Sequence, residues 1–333
     1  MAEPILRATN LHLHFAGRAR LADRLRGRPV PDVRAVDGVS FSLAAGEVLG
    51  LVGESGSGKT STGNLLMGLL RPTEGDVEVD GTALSSLDAG GLRRLRREVQ
   101  MIFQDPYESL NPRMRVLDIV AEPLRVHRAV RNRAEERARV AEALEQAGLT
   151  PADTFMQRLP FALSGGQRQR VVIAAALVLR PRVLIADEPV SMLDVSIRAD
   201  ILNLLAGLAE TRGIAMVMIT HDLSTVAAYA HRLAVMYLGR LVEIGPTAEV
   251  LAAPAHPYTQ ALLSVVPVPD PTRRREPLIL AGETPDPSRI PPGCRFHPRC
   301  PLAFERCPTV DPPLFDVRPG HQAACLLVEE RPD

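Results

Sequence analysis

The chain has 333 residues, 46% hydrophobic and 23% charged, an ordinary balance for a folded globular protein that excludes wholesale disorder. Thirty-nine Lys and Arg offset 39 Asp and Glu, so a chain-wide basic footprint for nucleic acid is missing. The longest unbroken apolar run, Val171 to Leu179, is about half of a membrane-spanning helix.

The opening residues, MAEPILRATN, lack a basic region followed by an apolar one, so a soluble intracellular protein is expected, reaching a membrane only through a partner. Alternation at Leu11, Leu13 and Phe15 predicts a half-buried strand, and Val39 to Leu43 predicts a second. Between them, 17–32 is an Arg-rich insert (Arg18, Arg20, Arg24, Arg26, Arg28), read as a solvated loop, with anionic lipid headgroups as the alternative partner. Val48 to Val52 is an apolar strand that runs into glycines and then a helix from about Lys59 to Leu70. Val99 to Phe103 reads as a strand, and Arg115 to Gly148 as helices with an Arg/Glu surface. A helix opens at Ser164 and continues through Val171–Leu179. Val183 to Ala186 and Ala215 to Ile219 have the unbroken apolar character of buried parallel strands, with a helix from Val195 to Arg212 between them. Strands alternating with helices imply an α/β fold built on a parallel sheet. Proline then changes the texture: 11 of 29 lie in 1–245 and 18 in 246–333, so a boundary is expected near 250. Beyond it little apolar sequence is periodic, and a thin conventional core is expected there.

Gly53-Glu54-Ser55-Gly56-Ser57-Gly58-Lys59-Thr60 fits G-x-x-x-x-G-K-[ST] and stands between the buried strand and the helix. Its glycines let successive N–H groups converge on one anion, and the helix adds its positive end. Lys59 is the single lysine among 39 basic residues, which marks a place for a compact ammonium rather than a planar guanidinium. It can reach the β/γ-phosphates of a nucleotide while the Thr60 hydroxyl ligates Mg²⁺. Asp187 and Glu188, at the end of an apolar strand, supply a carboxylate for the metal and one to polarise water. Ser164 is a good helix N-cap, but Gly165 and Gly166 in a first helical turn cost stability unless the backbone must approach something closely.

With Ser164, Gly165, Gly166 and Gln167 the run Leu163–Gln167 reads LSGGQ, and here the sequence resembles the ABC-type ATPases, over about residues 5–250. Gln104 matches the Q-loop, Ser191 to Asp194 the D-loop, and His221 the switch histidine. Phe15 is the candidate to stack on adenine, with an edge-strand core phenylalanine as the alternative. The runs QDPYESLNP (104–112), DEPVSMLDVS (187–196), HPYTQALL (256–263) and PPGCRFHPRCP (291–301) are similar to the ATPase subunits of bacterial dipeptide/oligopeptide importers. Met192 departs from a usual Ala, and Thr60-Ser61 reverses the common Ser-Thr.

The resemblance implies an ABC nucleotide-binding domain over 1–250: a RecA-like core, an antiparallel β layer and a helical subdomain spanning about 88–165. A Pro/Cys-rich extension follows over 251–333. It implies ATP bound by Phe15, Gly53–Ser61 and Mg²⁺, the ion held through Thr60, Gln104 and Asp187, with Glu188, His221 and Gln104 as catalytic residues. Ser164, Gly165, Gly166, Gln167 and Asp194 would serve the ATP of a second ATPase subunit in a heterodimer. Two transmembrane permeases and, indirectly, an extracytoplasmic binding protein complete the expected assembly, at the cytoplasmic face of the inner membrane and without nucleic acid. Another cargo such as nickel complexes, or a non-transport ABC ATPase, are the competing readings.

All four cysteines, Cys294, Cys300, Cys307 and Cys325, fall in the last 40 residues, spaced C-x5-C-x6-C-x17-C. Stable disulfides are disfavoured inside cells, and no C-x2-4-C pair of the zinc-ribbon kind occurs. Cys300-Pro and Cys307-Pro are of the kind found at iron–sulfur ligands, so a [4Fe–4S] cluster is expected. A zinc site, with or without His297 or His321, and free thiols stay open.

Overall fold

Strands with every residue apolar can only sit where both faces are covered, and that rule sets the architecture. The computed structural model describes residues 3–17, 31–266 and 278–329. The Arg-rich insert lies, over 18–30, outside the described residues. The strands are β1 (Leu6–Phe15), β2 (Val33–Leu43), β3 (Val48–Val52), β4 (Glu74–Val79), β5 (Thr82–Ala83) and β6 (Val99–Ile102), then β7 (Val183–Asp187), β8 (Ala215–Thr220), β9 (Arg232–Tyr237), β10 (Arg240–Pro246), β11 (Phe315–Arg318) and β12 (His321–Ala323). One sheet is antiparallel, in the order β2-β1-β4-β5; the other has eight strands, β11-β12-β10-β9-β3-β8-β7-β6. From β9 to β6 its pairs are parallel, while β9–β10, β10–β12 and β12–β11 are antiparallel.

The helices that matter for the site are α1 (Lys59–Leu66), α2 (Val116–Val126), α3 (Arg133–Gln146), α4 (Gly165–Leu177), α5 (Val195–Arg212), α6 (Leu223–Tyr229) and α7 (Pro257–Ser264). Alternate residues of the parallel strands feed two cores. Leu49, Leu51, Ile185, Val217 and Ile219 pack toward the antiparallel sheet and α1. Val48, Leu184, Ala186, Met216 and Met218 pack toward α2, α3, α4 and α5. The expected helix from Lys59 to Leu70 ends sooner, because Gly68 takes a left-handed turn (φ 65°) just past the Met67 cap.

The C-terminal segment corrects the expectation of a thin core. β12 pairs with β10, Glu243 opposite Ala323, so the segment extends the main sheet. Tyr258 and Phe296 are buried beside Tyr237, with ring centroids 4.8 to 5.4 Å apart. Val52, Val226 and Val235 complete this third core. Single aromatic residues set among prolines build it, so no periodic pattern announces it. Among the described residues no helix is long and apolar enough to cross a membrane.

Candidate nucleotide site

The loop 53–58 joins the buried end of β3 to α1, and two of its glycines are dictated by contact. A Cβ on Gly53 would lie 2.2 Å from the Met236 carbonyl oxygen, and one on Gly58 2.2 Å from that of Ala35. Gly58 also holds φ at 106°, where side chains are strained. The loop therefore curls against two neighbouring strands. Lys59 folds back into that curl, donating from Nζ to the carbonyls of Gly53 (2.8 Å) and Glu54 (2.9 Å). Burial pulls its ammonium below the ordinary lysine value, against the attraction of Glu188, Asp187 and Glu54.

Asp187 ends β7 beside this loop. Burial pushes its carboxyl up, although a hydrogen bond from Thr60 works the other way. Its Oδ1 is buried with no hydrogen-bond partner among the described residues. A buried carboxylate oxygen without a donor, next to a threonine hydroxyl, is a hard-oxygen pair that suits Mg²⁺. The next residue turns sharply: Glu188 has φ 45°, an unusual conformation for a long side chain. That turn is braced by Glu188 N–H donating to the Ile219 carbonyl and by Ser191 Oγ donating to the Glu188 carbonyl. Its carboxylate is held between two groups, accepting from Gln104 Nε2 at 3.1 Å on Oε2 and meeting His221 Nδ1 at 2.9 Å on Oε1. The structure thus brings together Gln104, Glu188 and His221 from the ends of β6, β7 and β8.

Ser164 caps α4, accepting from Gln167 N–H at 3.3 Å while Gln167 Oε1 accepts from Ser164 N–H at 3.1 Å. A Cβ on Gly166 would stand 2.7 Å from Ile197 Cγ2, so this glycine lets α4 lie close to α5. Part of the glycine signal is therefore packing. Ser164 itself is exposed, as is Asp194 at the start of α5. Phe15, at the end of β1, is 43% exposed. Ser55, Gly56 and Thr60 face solvent, whereas Ser57 is buried.

Sequence reasoning missed three residues at the loop. Arg299, Thr284 and Tyr258 all hydrogen-bond Glu54. Burial alone would raise the Glu54 carboxyl, but the hydrogen bonds from Arg299 and Thr284 outweigh it and hold it below the ordinary glutamate value. Arg299 lies inside the HPRC run, next to Cys300.

Backbone N–H groups of Phe296, Leu302 and Leu327 point at the sulfurs of Cys294, Cys300 and Cys325. Burial pushes the thiols of Cys294 and Cys300 up to about 11. The expected iron–sulfur ligand set is not drawn together: among the described residues the four sulfurs form no group of three ligand atoms close enough to hold a metal ion. The grouping that does is His12, His14 and Asp37, with ligand atoms within 4.8 Å of one another. Asp37, however, already meets the guanidinium groups of Arg295, Arg34 (3.7 Å) and Arg240 (3.9 Å). A further cation would enter positively charged surroundings, so the grouping is an ion-pair centre.

A strand–loop–helix phosphate cradle, a carboxylate pair closing a parallel strand and a capped signature helix define an ATP-binding cassette. Residues 36–191 match the family model described as ABC transporter, and 242–307 match the oligopeptide/dipeptide transporter C-terminal region. The chain is 49% identical over 296 residues to a probable peptide ABC transporter ATP-binding protein, y4tS, of Sinorhizobium fredii, covering 89% of this chain and 83% of that one. It is 45% identical over 331 residues to the oligopeptide transport ATP-binding protein AppF of Bacillus subtilis, covering 98% of each. The dimeric ABC transporter cassette MJ0796 superposes with a TM-score of 0.63 at 30% identity, over 73% of this chain and 98% of that one. The chain belongs to the ABC transporter ATPases, in the branch of ATP-binding subunits that carry the oligopeptide/dipeptide C-terminal region.

Proposed function

We propose that this ATPase drives uptake of di- and oligopeptides as one half of a two-subunit sandwich docked on two permeases at the cytoplasmic face of the membrane. A heterodimer with a second ATPase is the expected assembly, fed by an extracytoplasmic binding protein. The observation that carries the hydrolytic reading is Glu188, fixed between Gln104 and His221 beside the Lys59 loop. In this reading Glu188 polarises the attacking water, and His221 and Gln104 hold its carboxylate. Gly53–Ser61 receive the phosphates, and Phe15 stacks on the adenine. Thr60, Gln104 and Asp187 hold Mg²⁺, which when bound neutralises charge on the phosphate oxygens. Exposed Ser164, with Gly165, Gly166, Gln167 and Asp194, serves the partner's ATP. The names of the relatives support a peptide cargo.

Glu188→Gln in the assembled transporter is expected to keep ATP binding and lock the closed dimer while phosphate release collapses, by about 10²-fold or more. Near-normal turnover would overturn the assignment. Placing Ser164→Arg here, with the partner's phosphate loop inactivated, should leave the Lys59 site working. Loss of that remaining activity in an intact complex would count against the sandwich.

The four cysteines are read as ligands of a structural [4Fe–4S] cluster. Backbone N–H groups aimed at three of the sulfurs support a thiolate centre, since such donors stabilise negative sulfur. Anaerobically purified protein is expected to be brown and Cys300→Ser to be bleached. Colourless protein with stoichiometric zinc would replace the cluster by zinc, and no metal at all would refute the centre.

A further inference from the structure

Glu54, the second residue of the phosphate loop, is held at three points. Its carboxylate receives two parallel hydrogen bonds from Arg299, Nη1 to Oε2 at 2.9 Å and Nη2 to Oε1 at 3.2 Å. The Thr284 hydroxyl donates to the same Oε2. Its N–H donates to the Tyr258 hydroxyl oxygen at 2.9 Å, and its carbonyl is one of the two that hold Lys59 Nζ. Tyr258, Thr284 and Arg299 all come from the C-terminal segment, 204 to 245 residues away in sequence. The Arg299 side chain is only 10% exposed, and its guanidinium lies 5.9 Å from the centre of the Tyr237 ring. Tyr237 follows Met236, whose carbonyl presses on Gly53. One side of the loop entrance is thus fixed by β9 and the other by residues after 250.

A surface ion pair would tie two segments together and do little else. This pair is largely shielded, fork-shaped and made by a residue whose own carbonyl accepts from Lys59. Displacing Glu54 would move a carbonyl that sets the position of the lysine and tilt the N–H groups that follow it. We propose that Arg299 is a positioning residue for the ATP site: acting through Glu54, together with Thr284 and Tyr258, it fixes the entrance of the phosphate loop, so that ATP affinity depends on the C-terminal segment. The proposal rests on the reading of residues 53–60 as the phosphate site.

The test is titration of the full-length chain with N-methylanthraniloyl-ATP, with metal content measured on each sample. Lys59→Ala is the check on the underlying reading and is expected to abolish binding; unchanged binding there would defeat the phosphate-site reading itself. Arg299→Ala is expected to weaken binding on the order of fivefold to tenfold. Arg299→Lys, which keeps the charge but loses the fork, should fall between it and the wild type. Glu54→Ala should match Arg299→Ala, and the double variant should be no weaker than either, because both remove one coupling. In the assembled transporter Arg299→Ala should raise KM for ATP and leave kcat within about twofold. Tyr258→Phe removes one hydroxyl far in sequence from the cysteines and should weaken binding with metal content unchanged. Wild-type affinity in Arg299→Ala, losses that multiply in the double variant, or a loss confined to kcat would each overturn the proposal. So would weakened binding that appears only where metal is lost. If Arg299→Ala fails to fold, wild-type affinity in both Arg299→Lys and Tyr258→Phe overturns it.

Discussion

Asp37→Asn removes the charge on which the antiparallel sheet and the C-terminal segment meet. Asp37 is 4% exposed and Arg295 7%, and Arg295 donates to both Asp37 Oδ2 and the Leu238 carbonyl. His12 Nδ1 and His14 Nε2 share Oδ1 at 2.9 and 3.2 Å. Removing one partner of a buried pair costs about 3–5 kcal/mol, because the other charge is left uncompensated. Asparagine keeps an oxygen that can accept one bond from Arg295, which returns about 1 kcal/mol. A net loss of about 2–4 kcal/mol at neutral pH follows. Since the chain has no tryptophan, urea unfolding followed by circular dichroism is the suitable assay. Burial alone would raise the Asp37 carboxyl, but the hydrogen bond and charge of Arg295, aided by His14 and His12, hold it well below the usual carboxylate range. Its stabilisation is therefore present above the unfolded-state value of about 3.9 and is lost as pH falls toward the depressed native value. The gap between wild type and Asp37→Asn should hold from pH 7 to about 4 and close below it. A gap under about 1 kcal/mol at pH 7 would refute the buried-pair argument, and one that narrows between pH 7 and 5 would place the titration elsewhere.

Lys59→Arg should lower phosphate release by the assembled complex on the order of a hundredfold, although the charge is kept, because the fork does not fit the curl that holds the ammonium. Gly58→Ala should cost more than the roughly 1–3 kcal/mol of backbone strain, since its Cβ meets the Ala35 carbonyl, whereas Gly56→Ala meets open space and pays strain alone; urea unfolding separates the two. Phe296→Ala should destabilise the C-terminal segment by about 3–5 kcal/mol and loosen α7, which hydrogen exchange over 257–264 would detect; unchanged protection there would contradict the aromatic core.

The parts legible in the sequence are those whose signal is local. The loop 53–60 declares itself within eight residues, and Val183–Asp187 declares a buried strand within five, so both lie where they were expected. The meeting of Gln104, Glu188 and His221 was legible only through the resemblance of their motifs to those of the ABC-type ATPases, since no local signal encodes it. Arg299 was not legible, because its partner lies 245 residues away and nothing in either segment encodes the pairing. Phe296 was hidden for a related reason: one aromatic among prolines has no period, and its partners Tyr237 and Tyr258 come from a strand and a helix. The end of α1 turned on the conformation of one glycine, Gly68.

The pairing of β12 with β10 also decides what the cassette exposes to its surroundings. Without β11 and β12, β10 would be the rim of the main sheet, an almost wholly buried run of seven residues with its backbone donors and acceptors turned outward. Such a rim recruits other strands, its own copies included. The segment replaces it with β11, four residues long, half exposed, and carrying Asp316 and Arg318. It also answers Glu243, a fully buried carboxylate on β10 that accepts from the backbone of Ala255 and His256 and meets His321 Nε2 at 2.8 Å. A chain cut near residue 250 would keep every nucleotide motif, yet it would carry an adhesive border and a stranded charge. Such a chain is expected to self-associate more readily than the full-length one.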